Sequence, residues 1–109
     1  MKTELANISG ILLFDFDVYR DQRGCFIDIF EISKLRSIGI KDDFIQDAMT
    51  VSNTKNTIRG LHFQYPPYAQ SKIIRCERGA VLDIAVDLRK SSPTYGQHCV
   101  IKLSEASLK

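Results

Sequence analysis

The segment Ile58-Arg59-Gly60-Leu61-His62-Phe63-Gln64 puts a cation, a glycine and an imidazole inside one otherwise apolar run. Arginine and histidine are costly to bury without a partner or a purpose. A histidine near its ordinary pKa can take or return a proton, and an arginine supplies a permanent planar charge. Strict strand alternation puts Arg59 and His62 on opposite faces. A bulge at Gly60 would bring both to one side, and glycine inside a strand often marks such a site. The same residues also fit a surface histidine beside a solvated arginine. Lys72 lies in the next run, on the parity of Gln70 and Ile74, while Asp83 and Asp87 share one face of the run after that. If these runs are neighbouring strands, a histidine, a lysine and one or two aspartates converge. That set suits removal of a proton beside a carbonyl: the imidazole is the base, a carboxylate orients it, and the ammonium stabilises the enolate oxygen. The competing reading is that Asp83 and Asp87 line a solvent-facing sheet face.

Other chemistries find less support. His62 and His98 are the only histidines, with no His-x-His pair or HExxH helix, so no metal site is expected. Cys25, Cys76 and Cys99 form no CxxC pair and have apolar neighbours, which reads as reduced, mostly buried thiols, not a nucleophile or a disulfide framework. No GxGxxG or phosphate loop occurs, and no cofactor is expected.

The elements that must position these residues are short β-type runs between turns. Gly10 to Phe16 is a first candidate strand, and Asp21-Gln22-Arg23-Gly24 is a turn. Cys25 to Phe30 alternates, with Cys25, Ile27 and Ile29 opposite Phe26, Asp28 and Phe30. One short helix is predicted over Ser33 to Ile38, with Ser33 as N-cap and Gly39 as its stop. Further strands are predicted over Phe44 to Val51, Thr57 to Gln64, Gln70 to Cys76, Ala80 to Leu88 and His98 to Leu103. Pro66-Pro67 forces an extended connection, because neither proline donates to a ladder. In the clearest run, Leu82, Ile84, Val86 and Leu88 face one way and Val81, Asp83, Ala85 and Asp87 the other. Many short strands with turns between them indicate an all-β sandwich or small barrel. The polar stretch Ser104 to Lys109 follows the last strand directly and leaves an open sheet edge, which predicts a missing remainder or a partner that supplies strands.

The 109 residues allow one domain, 1–109, and a formal charge of +2 with scattered cations argues against a nucleic-acid partner. The start Met1-Lys2-Thr3-Glu4 leads into no apolar h-region, and the longest apolar run, Ile11 to Phe14, is far too short to span a bilayer. A cytoplasmic protein with no membrane partner is the expectation.

Taken together, Asp21-Gln22-Arg23-Gly24-Cys25-Phe26, Phe44-Ile45-Gln46-Asp47, Ile58 to Gln64, Tyr65-Pro66-Pro67-Tyr68-Ala69-Gln70-Ser71-Lys72, and Val86-Asp87-Leu88-Arg89 through Ser92-Pro93-Thr94-Tyr95-Gly96 resemble one family in order and spacing. They are similar to the dTDP-4-dehydrorhamnose 3,5-epimerases, isomerases with a cupin-type jelly-roll fold (a double-stranded β-helix). The resemblance runs from about Ile11 onward and covers only the N-terminal part of the family's length, so an incomplete jelly roll with one short helix is expected.

The resemblance implies a metal-free reaction without cofactor on a dTDP-linked 4-keto-6-deoxyhexose. The keto group acidifies the flanking C–H bonds, and acid–base transfer inverts both carbons. His62 matches the family's base and Lys72 the cation near the keto oxygen. Arg23 and Arg59 match arginines that hold the nucleotide sugar. Gln46 and Asp47 match a nucleotide-contacting segment, and Phe26 and Asp28 lie at the same pocket. The chain departs from the family pattern with aspartate at Asp28 for the usual glutamate and alanine at Ala48 for the usual asparagine. The Gln46–Arg59 segment is about one residue longer than usual. The family's tyrosine acid, and a late carboxylate that pairs with the histidine, lie beyond residue 109; Tyr65, Tyr68 and Tyr95 match other positions. The family's homodimers imply a homodimer here. Two other readings stay open: a nucleotide-sugar ketoisomerase of the same fold, and a non-catalytic truncated family member.

Overall fold

The computed structural model describes residues 3–109. Three antiparallel hairpins and one short helix make up its regular structure. β1 (Thr3–Leu5) pairs with β2 (Leu12–Phe14), with Leu5 opposite Leu12. β3 (Val18–Asp21) pairs with β4 (Gly24–Ile27), with Asp21 opposite Gly24, so Gln22 and Arg23 form a two-residue turn. α1 (Ile32–Ser37) follows. β5 (Ala80–Val86) and β6 (His98–Ser104) form the longest ladder, from Ala80 opposite Ser104 to Val86 opposite His98.

The chain divides into two compact units, Met1–Ile40 with Ile74–Lys109, and Lys41–Ile73. All the hairpins and the helix belong to the first. Its buried apolar residues are Ile8, Leu35 and Leu103, from the β1–β2 turn, the helix and β6. Backbone hydrogen bonds stitch its chain ends together: Phe16 donates to the Leu108 carbonyl at 3.2 Å and Glu105 to that of Gly79 at 3.1 Å.

The helix falls within one residue of its predicted bounds, but Glu31 occupies the N-cap position and makes no side-chain capping bond. Ser33 instead donates its hydroxyl to the Glu31 carboxylate. Gly39 stops the helix as expected: its φ is +89° and its N–H returns to the Arg36 carbonyl at 3.1 Å. The predicted Cys25–Phe30 strand ends at Ile27, opposite the first residue of β3, and the side chain of Asp28 meets Lys34 of the helix. The Val18–Asp21 strand was not foreseen; its four residues carry too little periodicity to stand out.

In the second unit the predicted strands Phe44 to Val51 and Thr57 to Gln64 are not strands, and neither is Gln70 to Cys76, which runs from this unit into the first. A strand exists only through a paired neighbour, and propensity alone does not make one. Residues 41–73 hold no ladder, and their apolar side chains lie open: Ile45 is 97% exposed and Ile58 91%.

The two faces of β5 also differ from expectation. Leu82 and Ile84 are exposed on one face and Val81 on the other, while Asp83, Ala85 and Val86 are half-buried and Asp87, just past the strand, is buried. The solvent-facing reading is therefore overturned for Asp87. Cys25 is exposed and Cys76 and Cys99 are half-buried; all three are free thiols, less enclosed than expected.

Candidate functional site

The β3–β4 hairpin builds one half of the candidate site. Asp21, the last residue of β3, fixes the turn by accepting from the Arg23 backbone N–H at 2.8 Å and from its Nε and Nη2 at 3.0 and 2.6 Å. The Arg23 guanidinium beside Asp21 holds that carboxyl below the usual carboxylate range. Gly24 takes φ of +139°, a conformation that favours glycine, and so closes the two-residue turn. Arg23 thus stands at the hairpin tip with its side chain 90% exposed and its guanidinium paired with Asp21. Phe26 pairs across the hairpin with Tyr19, their ring centroids 6.3 Å apart and both rings open to solvent. Tyr19, Arg20, Asp21, Arg23 and Phe26 are among the residues that line a shallow, open hollow at this hairpin.

Asp28 lies two residues beyond Phe26 and accepts from Lys34 Nζ at 2.9 Å. Lys34 also meets Glu31 at 3.2 Å and Asp17 at 4.0 Å. The hydrogen bond from Lys34 lowers the Asp28 pKa, and the bonds to Asp28 and then Glu31 raise that of Lys34.

The second unit carries the residues expected to act as base and cation, together with Gln46, Asp47 and Arg59. Gln46 and Asp47 are exposed on its loop. Arg59 turns its guanidinium back on its own segment, with Nε 3.2 Å from Ser52 Oγ and Nη2 3.2 Å from the Val51 carbonyl. His62 folds over Gly60, where a methyl group would meet both its backbone nitrogen and Nδ1 at 3.4 Å. Gly60 has φ of +99°, a conformation that favours glycine. The expected bulge does not form, because residues 57–65 are irregular and pair with no strand. Arg59 and His62 are close in sequence but make no hydrogen bond to each other. Lys72 is exposed, and no hydrogen bond or ion pair links it to His62. Ser71 beside it donates to Asp42 at 2.8 Å, which ties the two ends of this unit together.

Asp87 proves to be a structural clamp, a role the sequence reading missed. Its Oδ1 accepts from the Arg89 backbone N–H and Nε at 3.0 and 2.8 Å; Oδ2 accepts from Arg89 Nη2, Ser92 Oγ and Thr94 Oγ1 at 2.8, 2.5 and 2.7 Å. Arg89 also donates to the Ser9 carbonyl at 2.7 Å. These donors, the Arg89 guanidinium first, hold the carboxyl far below the ordinary range despite its burial. With both oxygens so engaged, Asp87 is a member of the fold, not an orienting group for a base. The alternation Asp87-x-Arg89-x-x-Ser92-x-Thr94 was the available signal, since short polar residues after a strand commonly fold onto one acceptor.

Short antiparallel hairpins with one short helix fit part of a cupin-type jelly roll, and the comparisons with known proteins give the fold and the class, that of the nucleotide-sugar epimerases. The family model described as dTDP-4-dehydrorhamnose 3,5-epimerase matches residues 5–109. The chain belongs to the dTDP-4-dehydrorhamnose 3,5-epimerase family. It is 44% identical to the dTDP-4-dehydrorhamnose 3,5-epimerase of Shigella flexneri over 105 residues, which cover 95% of this chain and 56% of that protein. It is 36% identical to the dTDP-4-dehydrorhamnose 3-epimerase of Streptomyces niveus, over 88% of this chain and 46% of that one. Its fold matches the crystal structure of the Bacillus anthracis dTDP-4-dehydrorhamnose 3,5-epimerase with TDP and PPi bound: the TM-score is 0.94 at 37% identity, over 98% of this chain and 61% of that chain. The chain thus spans about half the length of the curated relatives it matches.

Proposed function

We propose that this chain serves as the nucleotide-binding and proton-abstracting part of a dTDP-4-dehydrorhamnose 3,5-epimerase, acting on a dTDP-linked 4-keto-6-deoxyhexose. The observation that carries the reading is the family match from residue 5 to 109, which includes Arg23, Arg59, His62 and Lys72. Neutral His62 removes the proton from a carbon beside the keto group. Charge then moves to the keto oxygen, where the Lys72 ammonium stabilises the enolate. Arg23 and Arg59 hold the diphosphate with planar donors, for which lysine is a poorer substitute. Phe26 offers a face to the base, and Asp28, Gln46 and Asp47 supply polar contacts to the nucleotide. No tyrosine within 1–109 is assigned as the acid that returns the proton.

Residues 1–109 act in this reading as parts of one domain, in a cytoplasmic homodimer. The open apolar side chains Ile45, Ile58 and Leu61 support association, since such surface is stabilised by cover. Among the described residues no helix is long and apolar enough to cross a membrane.

Incubation with a dTDP-4-keto-6-deoxyhexose in deuterated water tests the reading. Uptake of deuterium at the carbons flanking the keto group is expected, and its loss in His62→Asn. A folded sample that binds dTDP but exchanges nothing would sink the catalytic part. Exchange confined to one carbon would favour single-centre epimerisation, a reading suggested by the 3-epimerase among the relatives.

A further inference from the structure

Lys34 is the meeting point of three carboxylates from three places in the first unit. Asp28 follows β4 at 2.9 Å, Glu31 opens the helix at 3.2 Å, and Asp17 precedes β3 at 4.0 Å. One ammonium has three N–H donors, so a single lysine can serve such a cluster. The helix that carries it is short and lacks a side-chain N-cap, so helix propensity alone does not explain a lysine held this way.

The position of Asp28 links the cluster to the hairpin. It stands one residue past the end of β4 and two past Phe26. Its Oδ2 accepts from Lys34, so an acceptor role toward a ligand falls to Oδ1. An aspartate is a short, sharply placed acceptor, and tying one oxygen removes most of its remaining rotamer freedom. Without the ammonium, Asp17, Asp28 and Glu31 would repel one another and any diphosphate brought in by Arg23.

We infer that Lys34 is a positioning residue for the nucleotide-sugar site, holding the Asp28 carboxylate just past the end of β4 as the acceptor for a neutral N–H or O–H of the nucleoside. The inference rests on the proposed function, in which Asp28 contacts the nucleotide. Lys34 itself touches no ligand; it acts through Asp28.

Calorimetric titration of the full 109-residue chain with dTDP, and in parallel with inorganic pyrophosphate, tests it. Lys34→Met and Asp28→Asn are each expected to weaken dTDP binding by roughly tenfold, the scale of one charge-assisted hydrogen bond. The double variant is expected to bind no more weakly than either single one, because both break the same contact. Lys34→Arg should recover most of the affinity. The loss should be larger for dTDP than for pyrophosphate, which has no neutral donor to offer Asp28. An equal loss for both ligands would mean a general charge effect and would overturn the inference. So would a lowered Tm with unchanged dTDP affinity, the mark of a purely structural lysine. Absence of dTDP binding by the unaltered chain would overturn the proposed function and this inference with it.

Discussion

The two units are built from similar residues yet reach opposite states. Met1–Ile40 with Ile74–Lys109 contains every ladder, the helix, the buried Ile8, Leu35 and Leu103, and the Asp87 clamp. Lys41–Ile73 is as apolar in its runs but holds no ladder, and it relies on side-chain ties such as Ser71 to Asp42 and Arg59 to Ser52. The difference teaches where order comes from. A strand-prone run becomes a strand when a second run closes its hydrogen bonds, and β5 has β6 while Phe44 to Val51 has no such neighbour. The proposed base and enolate-stabilising cation lie in the unit with less secondary structure. The hairpin with Arg23 and Phe26 lies in the other.

That contrast can be broken or sharpened by measurement. The largest effect is expected at His62. Replacement by asparagine should cut deuterium exchange into the keto sugar by about 10²–10⁴-fold, the usual worth of a general base, while moving Tm by no more than a degree or two. A large fall in Tm would show that the second unit bears more of the fold than its exposure suggests.

Leu103 and Ile58 form the next pair. Leu103→Ala removes a buried side chain of β6 and should cost about 2–5 kcal/mol in denaturant unfolding. Ile58→Ala, at a fully open position, should stay within about 0.5 kcal/mol. Equal costs would mean that Ile58 is covered in solution, by a second copy or another segment.

Asp87 provides the pH-dependent arm. Its carboxyl is held far below the usual range in the fold, so its contribution is present above the unfolded carboxylate pKa of about 3.9 and is lost progressively as pH falls below that value. Thermal melts from pH 7 to pH 2 should show Tm dropping through this acid range. Asp87→Asn should have a lower Tm at neutral pH, by roughly 10 °C, and a flatter acid slope. An unchanged slope would assign acid sensitivity to other carboxylates.

The smallest expected effect separates the units by hydrogen exchange. Amides of Ala80–Val86 and His98–Ser104 that face each other should exchange at least about tenfold more slowly than those of residues 44–51. Equal protection would show that the second unit gains ladder partners in solution.

Much of this was legible in the residues. The Arg59-Gly60-Leu61-His62 block stood out because it places costly groups in an apolar run, and the ordered blocks around it named the family that residues 5–109 match. The turn at Asp21 to Gly24 and the helix stop at Gly39 were readable because glycine and aspartate act through local geometry, within a few residues. β5 and β6 were readable because each is a run rich in apolar and β-branched residues next to turn signals.

Other features belonged to the tertiary structure. Which face of β5 is covered depends on what packs against it, and the exposure of Leu82 and Ile84 could not be deduced from alternation alone. The end of β4 at Ile27 was decided by where its partner β3 begins, at Val18. Asp87 could have been an orienting group for a base or a clamp, and the donors of Arg89, Ser92 and Thr94 made it a clamp. The sequence determined residue chemistry, turn geometry and family, because these reside in single residues or short spacings. Burial, strand pairing and the partner of each carboxylate depend on which distant groups arrive at one place, and only the folded chain decided those.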